Sequence, residues 1–167
     1  MKVLTLTQPW ATLVAIGAKK IETRSWETMY RGPLAIHAAK GFPKPAQELC
    51  FTEPFLSALA VTMVGQGKYR PDQLPRGMIV AIGELFDCRS TEEARPGKRG
   101  WFAHVNNKPV YWELTDQERA FGDYTPGRYA WLLANVRPLP APIPAKGALG
   151  LWTIDDVVIE AALKGRS

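Results

Sequence analysis

Gln8-Pro9-Trp10, followed by Gly17-Ala18-Lys19-Lys20-Ile21-Glu22-Thr23-Arg24-Ser25-Trp26, is the stretch on which the reading of this chain turns. Leu13, Val14 and Ile16 supply the buried face of a short helix. Pro9 fits its first turn, where a missing N–H costs nothing, and Thr7 offers a hydroxyl cap. Gly17 is a natural left-handed stop. Period-2 alternation then begins, with Lys20, Glu22, Arg24 and Trp26 on one face of a strand and Ile21 and Thr23 on the other. A solvated face whose charges pair with one another explains the ions and adds little stability. It does not explain Trp26, or why the face opens beside a glycine hinge and a Gln-Pro-Trp corner. A surface that grips a charged, planar ligand explains both.

Working outward, residues 3–7 alternate as a half-buried strand, and Arg31-Gly32-Pro33 turns the chain into a strand over 34–38. Residues 51–64 are apolar and helix-compatible. With Pro43, Pro45, Pro71 and Pro75 around them, they predict a helical insert at about 43–75. Residues 78–88 are nearly continuous in apolar side chains, which predicts a central strand. Residues 89–100 read as a charged loop, 129–136 as a second long strand and 138–144 as a proline-spaced extended link. Residues 153–164 read as a closing helix with Thr153 as cap and Asp155 and Asp156 in its first turn. The pattern predicts a mainly β fold with peripheral helices (α+β): a barrel of roughly five to seven strands, one domain over 1–167.

The 167 residues suffice for one real core. A composition of 46% apolar and 22% charged residues argues against disorder. The net charge of +5 favours anionic partners, nucleic acid first among them. Cys50 and Cys88 lack ligand spacing, so neither a disulfide framework nor a structural zinc site is expected. No apolar run approaches the roughly 20 residues that span a bilayer, and Pro9 interrupts any signal-peptide core. The expectation is a cytoplasmic protein without metal or cofactor.

The candidate ligand-binding residues divide the work. Arg24 and Lys19 suit phosphate, the first by a two-pronged hydrogen bond and the second as a compact charge. Glu22 only accepts hydrogen bonds, which suits the amino and imino edges of a base. Trp10 or Trp26 offers a plate for stacking. Gln8 belongs to the same corner. Lys40 leaves a buried strand beside Gly41, and His37 precedes it as a hydrogen-bonded residue near the strand end. Lys146 lies among glycines that allow backbone N–H groups to approach a phosphate, while Trp152 reads as a core plug. The basic run Gly97-Lys98-Arg99-Gly100 reads as a solvated loop or, with Trp101 following, as an extension of a nucleic-acid track, and His104 is given no role.

Gly17-x-Lys19-x-x-Glu22-x-Arg24 matches the signature GxKxxExR of the ASCH domain, a relative of the PUA RNA-binding domain. With Gln8-Pro9-Trp10, Trp26 and the Arg31-Gly32 turn leading to Lys40, the chain resembles the ASCH module of the activating signal cointegrator proteins. The resemblance covers residues 1–40, extends over 77–84 and 129–152, and is absent from the helical insert. It implies a PUA-like β-barrel, a cleft lined by the signature residues and Lys40, and RNA or single-stranded nucleic acid as ligand. Within that superfamily a bacterial group hydrolyses N4-acetylcytidine with a Lys, a Thr and a distant Glu. Here Lys19 matches the Lys, but Glu22 occupies the Thr position, and Thr23 points to the opposite face. Other members are ribonucleases. For that chemistry Lys19 would stabilise the transition state and Glu22 act as base, with Glu84 and Glu113 as candidates for the distant Glu. The alternatives to nucleic-acid binding are thus a hydrolase (a ribonuclease, or an amidohydrolase on a modified nucleoside) and an adaptor for a protein partner.

Overall fold

The structure, a computed structural model, describes residues 1–60, 70–94, 100–105 and 108–164. It is mainly β with peripheral helices, and its residues fall into two compact units. The first comprises 1–18, 33–83 and 135–167, the second 19–32 and 84–134. The strands are β1 (Lys2–Leu6), β2 (Ile21–Arg24), β3 (Gly32–Ala38), β4 (Met78–Ser90), β5 (Gly100–Val105), β6 (Lys108–Glu113), β7 (Tyr129–Pro144) and β8 (Leu151–Thr153). Six of them hydrogen-bond in the order β2-β7-β4-β3-β1-β8, and β5 pairs with β6 in a separate ribbon. The helices are α1 (Trp10–Ala15), α2 (Lys44–Leu49), α3 (Phe55–Ala60), α4 (Asp116–Ala120) and α5 (Asp156–Lys164). None in the described residues is long and apolar enough to cross a membrane.

In the first unit, β1 runs parallel to β3 and antiparallel to β8. With a strand on each side and cover on both faces, Val3 and Leu4 are both fully buried, so β1 is not the half-buried strand its alternation predicts. Val3, Ala35, Ile79, Ile82, Leu139 and Ile159 form the core here. The Gln8–Pro9 bond is cis, and Thr7 does not cap α1. Gln8 takes that role: its Oε1 accepts from the Thr12 N–H at 3.1 Å. Thr153 likewise does not cap α5. It ends β8, its hydroxyl accepts from Lys2 Nζ at 3.2 Å, and the helix begins three residues later. In the insert, α2, α3 and a 3-10 turn at Pro71–Gln73 account for the described residues. The part of the apolar segment at 61–64 lies outside them.

β7 continues through the proline-spaced stretch instead of stopping at residue 136. Pro138, Pro140, Pro142 and Pro144 alternate, so they remove donors from a single edge of the strand. The intervening Leu139 and Ile143 point into the first unit's core.

In the second unit, β2 pairs with the first residues of β7, Glu22 opposite Trp131 and Arg24 opposite Tyr129. Ile21, Trp101, Trp112, Leu114, Ala130 and Leu132 form its core. The β5–β6 ribbon begins at Gly100, the last residue of the stretch read as a charged loop, and runs through residues given no strand from the sequence. A Cβ at Gly100 would stand 1.9 Å from the Trp112 carbonyl oxygen, so only glycine admits this pairing. Residues 97–99 of the basic run lie outside the described residues.

Candidate functional site

The turn after α1 delivers Lys19 into the interior of the second unit. Gly17 has φ +76°, which reverses the chain as its position predicts. The Lys19 side chain is wholly withdrawn from solvent. Its Nζ donates to the Ile21 carbonyl at 2.6 Å and lies 3.7 Å from Glu22 Oε2 and 3.8 Å from Glu118 Oε1. Arg24 Nη1 stands 3.7 Å from the other oxygen of Glu22. Two carboxylates and two cations thus alternate, Glu118–Lys19–Glu22–Arg24, with no net charge among them. Enclosure of Lys19 removes the direct phosphate contact expected of it. Arg24, with 28% of its side chain exposed, is the cation of this group that solvent can reach.

Glu118 is the group that inspection of the sequence misses. It occupies the third position of α4, where Thr115 caps the helix by accepting from the Glu118 N–H at 3.1 Å. The signal was legible as the capping-box pattern Thr115-x-x-Glu118. The carboxylate does not return to Thr115, however. It accepts from the backbone N–H groups of Lys20 and Ile21, each at 3.1 Å, and so fastens the start of β2. Burial pushes the Glu118 carboxyl above the usual carboxylate range, against the pull of Lys19 and the two N–H groups, and the Glu22 charge adds to the rise. Glu113, by contrast, is exposed on β6 and Glu84 is half-buried on β4; the distant carboxylate beside Lys19 is Glu118.

Tyr124 belongs to the same neighbourhood. Its buried hydroxyl has no hydrogen-bond partner among the described residues. Burial first, and then the Glu118 and Glu22 charges, hold it firmly protonated. Thr23 faces away, as its register requires: its Oγ1 accepts from the Asp123 N–H at 3.0 Å.

Trp26 lies just past the end of β2 and is half-buried. It meets Trp131 edge-on, 4.6 Å between centroids and 86° between planes, while Trp131 Nε1 donates to the Trp26 carbonyl at 3.3 Å. The Arg24 guanidinium sits 5.9 Å from the Trp26 ring centre, within cation–π range. Lys19, Glu22, Arg24 and Trp26 are therefore gathered in one unit, with Glu118 and Tyr124 beside them.

The other sequence candidates belong to the first unit. Gln8 is fully buried, and both ends of its amide are used internally, Nε2 donating to the Pro75 carbonyl at 2.7 Å. Trp10 packs edge-on against Phe55 at 6.1 Å. His37, Lys40 and Lys146 line a common pocket together with Arg76, a residue not anticipated from sequence. Trp152 pairs with Val3 in β8 and donates Nε1 to Thr5 Oγ1 at 3.0 Å, consistent with a core plug. Among the described residues no group of three His, Cys, Asp or Glu side chains is arranged to hold a metal ion.

Comparison with known proteins places these features in a family. Activating signal cointegrator 1 of Mus musculus is 26% identical to this chain over 162 residues, and the Homo sapiens protein is equally similar. The match takes in 97% of the present chain but 24% of either relative, so the chain spans about a quarter of their length. A crystal structure of a point mutant of ZmASCH from Zymomonas mobilis superposes with a TM-score of 0.49 at 13% identity, over 95% of this chain and 93% of that one. The family model of the ASCH domain matches residues 4–143, which contain the Gly17-to-Arg24 signature, most of β1, all of β2 to β6 and nearly all of β7. The chain accordingly belongs to the ASCH domain family.

Proposed function

We propose that this protein binds single-stranded RNA through the Arg24–Trp26 edge of the second unit, with Glu22 reading a base. The ASCH family is associated with RNA binding. The observation that carries the reading is the partly exposed Arg24 guanidinium, tied to Glu22 on one side and 5.9 Å from the Trp26 ring on the other. Arg24 meets a phosphate, Trp26 stacks on a base, and Glu22 accepts from the amino edge that stacking brings near it. Lys19, itself held by Glu118, stands behind Glu22. Its ammonium and the Arg24 guanidinium supply the partners without which a buried carboxylate would be too costly to keep charged.

Fluorescence anisotropy with short single-stranded oligoribonucleotides across a salt series tests this. Trp26→Ala is expected to weaken binding by an amount worth ~1–3 kcal/mol, the scale of one base–aromatic stack. Arg24→Ala is expected to weaken binding and to reduce the log–log salt slope by about one phosphate contact. Affinity unchanged in both variants would remove this edge from the interface.

A second reading has its own supporting observation. Glu118, whose carboxyl is raised by burial, shares its neighbourhood with a fully enclosed ammonium and an unpartnered tyrosine hydroxyl, the kind of grouping that supports general acid–base work. On this reading the second unit hydrolyses a phosphodiester or an acylated cytidine. Glu22→Gln separates the two: loss of turnover with binding retained favours hydrolysis, and loss of binding in the absence of any turnover favours recognition.

A further inference from the structure

Three separate chain segments converge in the first unit because their backbones are tied to one another. The Gly77 N–H donates to the Ala38 carbonyl at 2.8 Å, and the Gly77 carbonyl accepts from the Ala145 N–H at 3.0 Å. Each tied residue has a cation next to it or one residue further on: Lys40 past Ala38, Arg76 before Gly77, and Lys146 after Ala145. The ties therefore gather Lys40, Arg76 and Lys146 on one pocket of about 890 Å³. All three are exposed, and among the described residues none of them forms an ion pair. The lining contains no carboxylate. The Arg76 charge acts on Asp72, but that carboxylate is already paired with Arg70 at 2.8 Å.

The pocket also has a polar wall that the fold leaves unfinished. His37 is 1% exposed, and its Nε2 donates to the Ala145 carbonyl at 3.1 Å, so in the neutral ring Nδ1 carries the free lone pair. That Nδ1 has no partner among the described residues. Gly147 closes over the ring so tightly that a Cβ there would stand 2.5 Å from Cε1 and 2.8 Å from Nδ1. Two residues on, Leu149 is 99% exposed and lines the same pocket.

Three exposed cations on one pocket, with no carboxylate in its lining, make a site of positive potential that favours an anion. The geometry points to a terminal phosphomonoester of a nucleotide as that anion, bound in the first unit's pocket by Lys40, Arg76 and Lys146. A phosphomonoester carries about −1.5 to −2 at neutral pH and three acceptor oxygens, a better match to three cations than the single charge of an internal diester. Leu149 offers apolar surface to the attached nucleoside. The ligand class is taken from the nucleic-acid reading above, but the residues are different ones, so the two can fail separately. A free nucleoside monophosphate and the phosphorylated end of a strand present the same chemistry.

The test compares three single-stranded oligoribonucleotides of one sequence, with a 5′-phosphate, a 3′-phosphate or hydroxyls at both ends, and uses adenosine monophosphate as competitor. One phosphorylated end is expected to bind about tenfold tighter than the hydroxyl form, the scale of one or two charge-assisted hydrogen bonds. Lys40→Ala combined with Lys146→Ala is expected to abolish that difference while leaving the hydroxyl oligonucleotide's affinity, which depends on Arg24, in place. Both residues are exposed, so folding is retained, and circular dichroism verifies it. Competition by adenosine monophosphate at the phosphate-dependent step identifies a free nucleotide as an acceptable source. Its failure to compete restricts the site to strand ends. Monophosphate binding that requires Lys40 and Lys146, in a protein that binds no oligonucleotide, upholds this pocket and overturns the Arg24–Trp26 reading. Equal affinity for all three ends, unaltered by the double substitution, overturns the pocket and leaves that reading standing.

Discussion

Lys19 in the second unit and Lys146 in the first carry the same charge and sit in similar glycine-bearing stretches, yet the fold uses them in opposite ways. Lys19 is enclosed completely, and two carboxylates and a carbonyl take up its ammonium. Lys146 is exposed beside Lys40 and Arg76 with no carboxylate in the pocket lining. An enclosed ion must be satisfied by the protein, because nothing else is available at that depth. An exposed and unpaired group of ions leaves its satisfaction to solvent or ligand. The same residue type is thus a structural strut in one unit and, on the proposal above, a means of recognition in the other, and burial separates the two.

The largest effect should come from striking the enclosed member. Lys19→Met leaves Glu22 and Glu118 facing each other without their shared cation, and is expected to destabilise the fold by about 3–5 kcal/mol. Lys146→Ala, at an exposed position, is expected to stay within about 0.5 kcal/mol. Urea unfolding of both variants measures the contrast, and equal losses would erase it.

Next in size is a steric test of the first unit. Gly147→Ala forces a methyl group into the His37 ring and is expected to cost about 1–3 kcal/mol. Gly41 has open space around its Cβ position, so Gly41→Ala should be neutral or slightly stabilising. If the two variants unfold at the same urea concentration, the close seating of the 145–149 loop on His37 is not a feature of the folded protein in solution.

The pH dependence of stability sharpens the comparison further, because the two buried groups tilt in opposite directions. Burial raises the Glu118 carboxyl above its ordinary 4.5, so the folded state holds that proton more firmly than the unfolded chain. Its contribution is full below the ordinary value and is lost as pH rises through the raised one. Burial lowers His37 below its ordinary 6.5, despite the bond to the Ala145 carbonyl. Its contribution is full above 6.5 and is lost as pH falls through the depressed value. Denaturation midpoints taken from about pH 4 to pH 8 should therefore lose their acid-to-neutral decline in Glu118→Gln and their acid-side loss in His37→Gln. Parallel profiles for wild type and both variants would contradict these assignments.

Only a modest effect on stability is expected at Arg24, whose pair with Glu22 is partly solvated. Arg24→Ala should cost less than about 1 kcal/mol in urea unfolding, a loss far smaller than that of Lys19→Met one strand-length away. A cost as large as that of Lys19 would make Arg24 a second strut rather than a ligand contact.

Much of the fold was legible because periodicity and turn chemistry are local. β3, the core of β4, the start of β7 and the Gly17 stop follow from alternation, apolar runs and a left-handed glycine. The β5–β6 ribbon was hidden by its charged approach, and its decisive feature, the closeness of Gly100 to the Trp112 carbonyl, exists only after pairing. The prolines of β7 suggested a link, yet alternate spacing left one edge of the strand intact. Among the site residues, Gln8 had the composition of a ligand contact, but both ends of its amide are occupied by backbone groups.

By itself, the sequence determined which chemistry is present and which short stretches carry it: the alternating face of β2, the stop before it, and the lysines that leave strand ends. Only the tertiary structure brought Glu118 to Lys20 across 98 residues and Arg76 to the pocket of Lys146. The physical reason is that spacing along a strand fixes which way a side chain points. Its partner, its burial and therefore the state of its charge depend on segments that meet only when the sheet is assembled.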